Sequence, residues 1–252
     1  MTASNPLFEF TLHMGDNALI LGQRVSAWCG HAPILEEDIA LANTGLDLIG
    51  QTKLWLSYAA EIENKDRDAD DLAFRRDGRD FRNCLLVEQP NGDYAQTMMR
   101  QFLFDAWHHP MLAALTNSSN KRVAEIAEKS EKEAAYHLER STDLLIRLGD
   151  GSQESHDRMQ TALDDLWRFT GELTSAGDVE TSLGKENVIP DGSAISDQYA
   201  SYIQTALREA TLTIPEGVGM RQGGKKGIHT EDFGYLLAEM QSLPRAYPDA
   251  AW

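Results

Sequence analysis

The sequence predicts an all-α protein, a bundle of four long helices followed by accessory helices. Apolar and small residues recur every three or four positions in several segments of about 20 residues or more, the spacing of one helix face. No period of about 20 to 50 residues is present, which disfavours a helical repeat array. The clearest face, in the segment 123–148, consists of Val123, Ala127, Ser130, Ala134, His137, Ser141, Leu144 and Leu148.

Length and charge limit the classes of protein to which this chain can belong. A chain of 252 residues is long enough to form one large domain, 1–252, without disulfides. Its net charge of -17 disfavours nucleic acid as a partner, because an acidic surface repels phosphate. Cys29 and Cys84 are the only cysteines, as is typical of a reducing compartment. With no signal-peptide pattern and no apolar run of about 18 residues, we expect a cytoplasmic protein.

The core bundle is predicted over residues 6–148 and begins with two helices. The first should cover 6–29, since Pro6 suits a first helical turn and Gly30 would end the helix. The second should cover 35–62, where the acidic run at 36–38 is favourable at the positive end of the helix dipole. A charged connector over 63–80 follows.

A second helix pair completes the predicted bundle. Asp93 is a good N-cap for a third helix over 94–116, which Pro110 should kink or split in two. The short loop 117–120 leads into a fourth helix over 123–148. A connection this short predicts that the third and fourth helices are antiparallel.

Accessory helices are predicted over residues 152–243. We expect a fifth helix over 153–173, a loop over 175–193 and a sixth helix that includes Tyr199 and Ala210. A glycine-rich irregular segment over 215–229 should precede a last helix, capped by Thr230 and ending near residue 243.

The polar middle of the fourth helix suggests a degenerate metal site. A four-helix di-iron site takes one Glu from each of two helices and a Glu-x-x-His pair from the other two. Here Ala134 occupies the Glu position three residues before His137, although Glu133 lies one turn before His137. The third helix offers Asp105, with His108 three residues later. His108 and His109 are nevertheless expected to be packing or surface groups.

The first two helices also lack a complete ligand set. The first offers Gln23 or Asp16 instead of Glu, and on the second Asp47 is followed by Gly50 where the histidine should be. We therefore expect no metal site and no catalytic residue, with Gln101, Asp105 and His137 forming a hydrogen-bonded network in the core. The degenerate di-iron positions are Gln23, Asp47, Asp105, Glu133 and His137.

The glycine-rich segment is the other candidate for a functional site. Residues 219–225 match the spacing of a phosphate loop, but Lys226 replaces the Ser or Thr that holds magnesium, and no strand precedes. We therefore exclude nucleotide hydrolysis. The segment is predicted either to contact an anion or a partner protein, or to be a solvated loop. The residues of this predicted contact are Arg221, Gly223, Gly224, Lys225 and Lys226.

Four sequence runs resemble a known family. They cover residues 30–33, 85–92, 105–108 and 223–231 and read GHAP, LLVEQPNG, DAWH and GGKKGIHTE. These runs are similar to the C subunit of the bacterial phenylacetyl-CoA epoxidase (ring 1,2-epoxidase). They extend from near the N-terminus to the last helix, so the resemblance covers essentially the whole chain.

The resemblance implies a ferritin-like fold and a non-catalytic, structural role in aerobic phenylacetate catabolism. The family's C subunit pairs with a catalytic A subunit that holds the di-iron centre and binds the CoA thioester. A B subunit and a reductase with NADPH, flavin and iron–sulfur groups complete this monooxygenase. The resemblance therefore implies an obligate hetero-oligomer, with no cofactor bound by this chain and the CoA thioester contacted indirectly.

The sequence leaves two alternatives open. One is a di-iron oxidase or oxygenase that is active on its own. The other is a free-standing ferritin-like binding protein without an oxygenase partner.

Overall fold

The computed structural model describes residues 5–248 and 250. It is all-α, with no strand among these residues. In chain order the helices are α1 (Pro6–Ser26), α2 (Leu35–Glu63), α3 (Ala69–Phe74), α4 (Tyr94–Leu115), α5 (Lys121–Gly149), α6 (Gln153–Leu166), α7 (Gly171–Thr174), α8 (Asp178–Lys185), α9 (Gly192–Glu209), α10 (Glu231–Met240) and α11 (Ser242–Ala246).

The contacts group these helices into two compact units. Unit 1 consists of the described residues up to Pro90 together with those from Gly223 onward, and unit 2 is Asn91–Gln222. Unit 1 therefore contains α1 to α3, α10 and α11, and unit 2 contains α4 to α9. The organisation as one domain over 1–252 stays a prediction.

Helices α1 and α2 pack closely in unit 1. The side chain of Asn5 caps α1 by accepting the Leu7 N–H, and every residue from Phe10 to Gly22 is buried. A β-carbon added at Gly15 would lie 2.6 Å from Leu56 Cδ2, so glycine is what permits this close approach. α1 ends at Ser26, three residues earlier than predicted.

The second half of unit 1 corrects the predicted last helix. The helix starts at the predicted place, with Thr230 at the N-cap position, but the Thr230 side chain makes no capping hydrogen bond. It also breaks at Gln241 into α10 and α11 instead of continuing to residue 243. Within the predicted connector, the short helix α3 forms because Asp68 and Asp71 make a capping box.

In unit 2, α4 is buried on nearly all sides and packs on α5, α6 and α9. Pro110 lies inside this helix, which continues to Leu115. Of the two predicted outcomes, a kink or a split into two helices, the split is therefore wrong. Packing against three neighbouring helices compensates for the backbone hydrogen bond that proline cannot make. The predicted face of α5 is confirmed: seven of its eight residues are buried, and Leu148 is half-buried.

The accessory region differs from prediction in two places. The predicted fifth helix ends at Leu166, where α6 gives way to a 3₁₀ turn (Trp167–Phe169) and then to α7. The predicted loop 175–193 contains α8, a helix of 8 residues that is too short to show a clear apolar period. The segment 215–229 is irregular as predicted, apart from a 3₁₀ turn at Gly224–Lys226.

Candidate functional site

A buried polar cluster lies between α4 and α5 in unit 2, where the sequence placed degenerate metal ligands. Its centre is Asp105, which is 1% exposed. Asp105 Oδ1 accepts a hydrogen bond from Gln101 Nε2 at 2.7 Å, and Oδ2 accepts one from Ser141 Oγ at 2.9 Å. Both carboxylate oxygens are therefore engaged by neighbouring side chains, as predicted for Gln101 and Asp105.

Burial dominates the electrostatics of this cluster. Desolvation raises the pKa of Asp105 to about 6, and attraction to His137 and the hydrogen bond from Ser141 oppose that rise. Desolvation, followed by repulsion from His137 and His109, lowers the pKa of His108 to about 3. His108 is therefore a neutral ring at pH 7. The centre of its ring lies 4.8 Å from that of Phe104, with the two ring planes tilted by 36°.

The cluster does not fit a di-iron centre. Ala134 is buried at the position where a carboxylate would be needed, and Glu133 is only half-buried. The Nδ1 atom of buried His108 has no hydrogen-bond partner. Across residues 5–248 and 250, no three His, Cys, Asp or Glu side chains form a group that could hold a metal ion. The donor set is thus a network around one carboxylate, too poor in oxygen and nitrogen ligands for two metals.

In unit 1, the carboxylate of Asp16 on α1 is already paired with a cation. Asp16 is fully buried and pairs with Arg76, which donates from Nη1 to Asp16 Oδ2 at 3.0 Å and from Nη2 to Oδ1. The backbone N–H of Arg82 donates to the same carboxylate at 2.8 Å. The Arg76 guanidinium also lies 4.2 Å from the centre of the Phe81 ring. Asp16 is therefore neutralised by protein groups and is not available as a metal ligand.

The remaining degenerate positions, Gln23 and Asp47, are half-buried on α1 and α2 of unit 1. Within unit 2 the structure brings together Asp105 and His137. His109, predicted to be a packing or surface group, contacts Glu131 at 3.1 Å on the partly exposed side of α4.

Reasoning from the sequence missed Arg76 and the role of Ser141. Arg76 lies in the charged connector, where nothing distinguishes it from a solvated arginine. Ser141 did carry a signal, because it shares the predicted buried face of α5 with His137.

From Gly223 onward, the glycine-rich segment packs against other residues of unit 1. Gly223 has a φ of +155°, and a β-carbon at Gly224 would lie 2.1 Å from the carbonyl oxygen of Asn83. These glycines are therefore required by a close backbone approach. Arg221 and Lys226 are exposed, and Lys225 is half-buried. Contact of these residues with an anion or a partner stays a prediction.

The N-terminus of α10, a natural position for an anion, holds an internal carboxylate. Glu88 is fully buried, and its Oε1 accepts the backbone N–H of Thr230 at 2.6 Å. Glu88 Oε2 accepts from Asn83 Nδ2 at 2.9 Å and lies 2.7 Å from His229 Nδ1. The helix end is thus occupied by a side chain of the same unit.

The sequence matches a known family along its whole length. Residues 1–252 match the family described as phenylacetic acid catabolic protein. The chain belongs to this family. It is also 48% identical over 248 residues to the C subunit of 1,2-phenylacetyl-CoA epoxidase from Escherichia coli (strain K12), a match that covers 98% of this chain and 100% of the relative.

Membership in the phenylacetic acid catabolic protein family confirms the resemblance and the all-α, ferritin-like fold class. The similar protein is a subunit of an epoxidase, so the comparison also supports a role in phenylacetate catabolism. Within the part of this family member that the structure describes, no helix is long and apolar enough to cross a membrane.

Proposed function

We propose that this protein is the non-catalytic, structural subunit of a multicomponent phenylacetyl-CoA 1,2-epoxidase. It would pair with the di-iron catalytic A subunit and stabilise it in the cytoplasm, in a complex that also contains a B subunit and a reductase with NADPH, flavin and iron–sulfur groups. The 48% identity to the C subunit of such an epoxidase supports this assignment.

One observation carries the non-catalytic part of the proposal. The acids that a di-iron centre would use are bound by protein groups: Asp105 by Gln101 and Ser141, and Asp16 by Arg76. Ala134 supplies a methyl group where a further carboxylate would be needed. A chain with this donor set contributes shape and buried surface, and the oxygen chemistry belongs to its partner.

Metal analysis tests the proposal against the two alternatives. The chain is purified alone and after co-expression with the catalytic subunit, and iron is measured in both samples. We expect no stoichiometric iron in the isolated chain and a stable mixed complex whose iron follows the catalytic subunit. About two irons per isolated chain would instead support an independent oxidase or oxygenase. A chain with neither iron nor a mixed complex would be a free-standing binding protein.

A further inference from the structure

A cleft within unit 2 is large enough to hold a small molecule. It has a volume of about 520 Å³ and is lined mainly by α9 and by the segment 167–174, which contains the 3₁₀ turn and α7. Pockets that bind small molecules have volumes of about 300–1,000 Å³. The cleft includes none of the residues that form hydrogen bonds with Asp105. It is therefore a separate candidate site on this chain.

Helical spacing and the break after Leu166 together produce the two walls of the cleft. The wall from α9 lies on one side of that helix, because its residues are separated by one, three or four positions; they include Ser196, Tyr199, Ala200, Ile203 and Gln204. The other wall forms where α6 ends at Leu166 and the chain continues as the 3₁₀ turn and α7. The break that apolar periodicity did not predict therefore provides half of the cleft.

Tyr199 is a buried polar side chain in this cleft. It is 7% exposed, and its hydroxyl has no hydrogen-bond partner among the described residues. Thr170 lies near this hydroxyl but not in hydrogen-bonding geometry, and Thr170 Oγ1 donates its own hydrogen to the Trp167 carbonyl oxygen at 2.8 Å. Burial raises the pKa of Tyr199 well above its ordinary value, so the hydroxyl keeps its proton at neutral pH. Tyr199 therefore offers a hydrogen-bond donor for which the fold supplies no acceptor.

The lining of the cleft favours an uncharged ligand. No Asp, Glu, Lys, Arg or His is among the described residues that line it. A charged ligand would lose its hydration there without gaining a counter-ion, which is unfavourable. Carboxylates and CoA thioesters, whose phosphate groups are negatively charged, therefore do not fit this site.

The apolar part of the lining favours an aromatic ligand. It includes the half-buried Trp167 together with Ala200, Ile203 and Ile214. The indole ring of Trp167 offers a flat surface on which another ring can stack, and the aliphatic side chains cannot bond the many hydroxyl groups of a sugar. We infer that the cleft binds an uncharged aromatic molecule that has an oxygen atom to accept the hydrogen bond of the Tyr199 hydroxyl.

Titration with three ring compounds of similar shape tests this inference. Acetophenone has a carbonyl acceptor, α-methylstyrene has the same shape without an oxygen atom, and benzoate has a negative charge. Each is added to the isotope-labelled full chain, and NMR chemical shifts report both the dissociation constant and the place of binding. We expect acetophenone to bind saturably with a dissociation constant below about 1 mM and to shift signals of residues 167–174 and 196–204. α-Methylstyrene should bind at least about 3-fold more weakly, and benzoate should not bind saturably.

Tyr199→Phe removes the hydroxyl and keeps the ring. Because this hydroxyl has no partner in the fold, the variant should keep the wild-type melting temperature. It should bind acetophenone about 3–10-fold more weakly and α-methylstyrene as the wild type does. Ala200→Trp adds a large side chain to the cleft and should weaken the binding of both compounds.

Ala194→Trp is the matched control, because Ala194 is also an exposed alanine of α9 but does not line the cleft. It should leave the dissociation constant of acetophenone unchanged. Equal binding of acetophenone by the wild type and by Tyr199→Phe would overturn the inference, as would an absence of saturable binding or shifts confined to other residues. Glucose is titrated in parallel. Binding of glucose in preference to acetophenone would show that the cleft is a polyol site and that the inference is wrong.

Discussion

His229 Nδ1 lies 2.7 Å from Oε2 of the buried Glu88, although 141 residues separate the two in the chain. The other ring nitrogen, Nε2, lies 3.3 Å from the carbonyl oxygen of Phe81. Both ring nitrogens therefore face acceptor atoms. The His229 ring also stacks on Phe233 at 4.2 Å. These contacts attach the glycine-rich segment and α10 to the segment 81–90.

Replacing Glu88 with alanine should destabilise unit 1. The change leaves the Thr230 N–H, the Asn83 amide and His229 without their buried acceptor. We expect the free energy of unfolding to fall by about 3–5 kcal/mol, measured by urea denaturation. Glu128→Ala, an exposed change on α5, should stay within about 0.5 kcal/mol of wild type. Equal effects of the two changes would show that the Glu88 network contributes nothing specific.

Arg76→Met should be among the most damaging single changes in unit 1. It leaves the carboxylate of Asp16 buried without its guanidinium partner, although the Arg82 N–H still donates to it. We expect a loss of about 3–5 kcal/mol in the free energy of unfolding, because a buried charge would lose its counter-ion.

A double variant isolates the ion pair from the packing of Arg76. Asp16→Asn/Arg76→Met removes both charges and should recover part of the loss in urea denaturation. Arg147→Met breaks an exposed pair with Asp143 and should cost less than about 1 kcal/mol. A double variant less stable than Arg76→Met alone would contradict this account of the pair.

Replacing Gly224 or Gly234 with alanine should change the stability of the protein in opposite directions. A β-carbon at Gly224 would lie 2.1 Å from the Asn83 carbonyl oxygen, so Gly224→Ala forces backbone to move and should cost about 3 kcal/mol or more. Gly234 lies exposed within α10 with nothing within 4 Å of an added β-carbon. Gly234→Ala should therefore gain about 0.5–1 kcal/mol. Thermal melts of both variants check this, and similar melting temperatures would refute the close packing of the glycine-rich segment.

Asp105 should make stability depend on pH. Its pKa is raised from 3.8 in the unfolded chain to about 6 in the fold, so the folded state retains a proton that the unfolded state releases. The contribution of Asp105 is therefore fully present below pH 3.8 and is lost as the pH rises through about 6. Between these two pH values, the contribution of Asp105 to the free energy of unfolding should fall by about 1.4 kcal/mol per pH unit.

Asp105→Asn removes this titration and tests whether Asp105 makes the free energy of unfolding fall or rise with pH. The free energy of unfolding of wild type minus that of the variant, measured in urea between pH 4 and 7, should decrease with pH and level off above pH 6. A difference that is constant with pH would show that Asp105 does not titrate in this window. A difference that increases with pH would mean that the fold lowers its pKa.

Periodicity predicted most of the helices because it is a local property of the chain. The face of α5 and the start of α6 follow from apolar spacing, the start of α2 from the acidic run at 36–38, and the start of α4 from the N-cap residue Asp93. The helix α8 and the break after Leu166 escaped prediction, because elements of one or two turns are too short to display a period. The continuity of α4 through Pro110 depends on packing, which local sequence does not encode.

The sequence by itself determined the all-α class, the buried face of α5 and the methyl group of Ala134 at a ligand position, since helical spacing decides which side chains share a face. Only the tertiary structure decided which charges meet. Asp16 and Arg76 are 60 residues apart, and Glu88 and His229 are 141 apart. Their pairing depends on how the helices and connecting segments pack within unit 1. The exposure of Leu35, Ile39 and Leu46 on α2 likewise depends on which side of that helix the core covers.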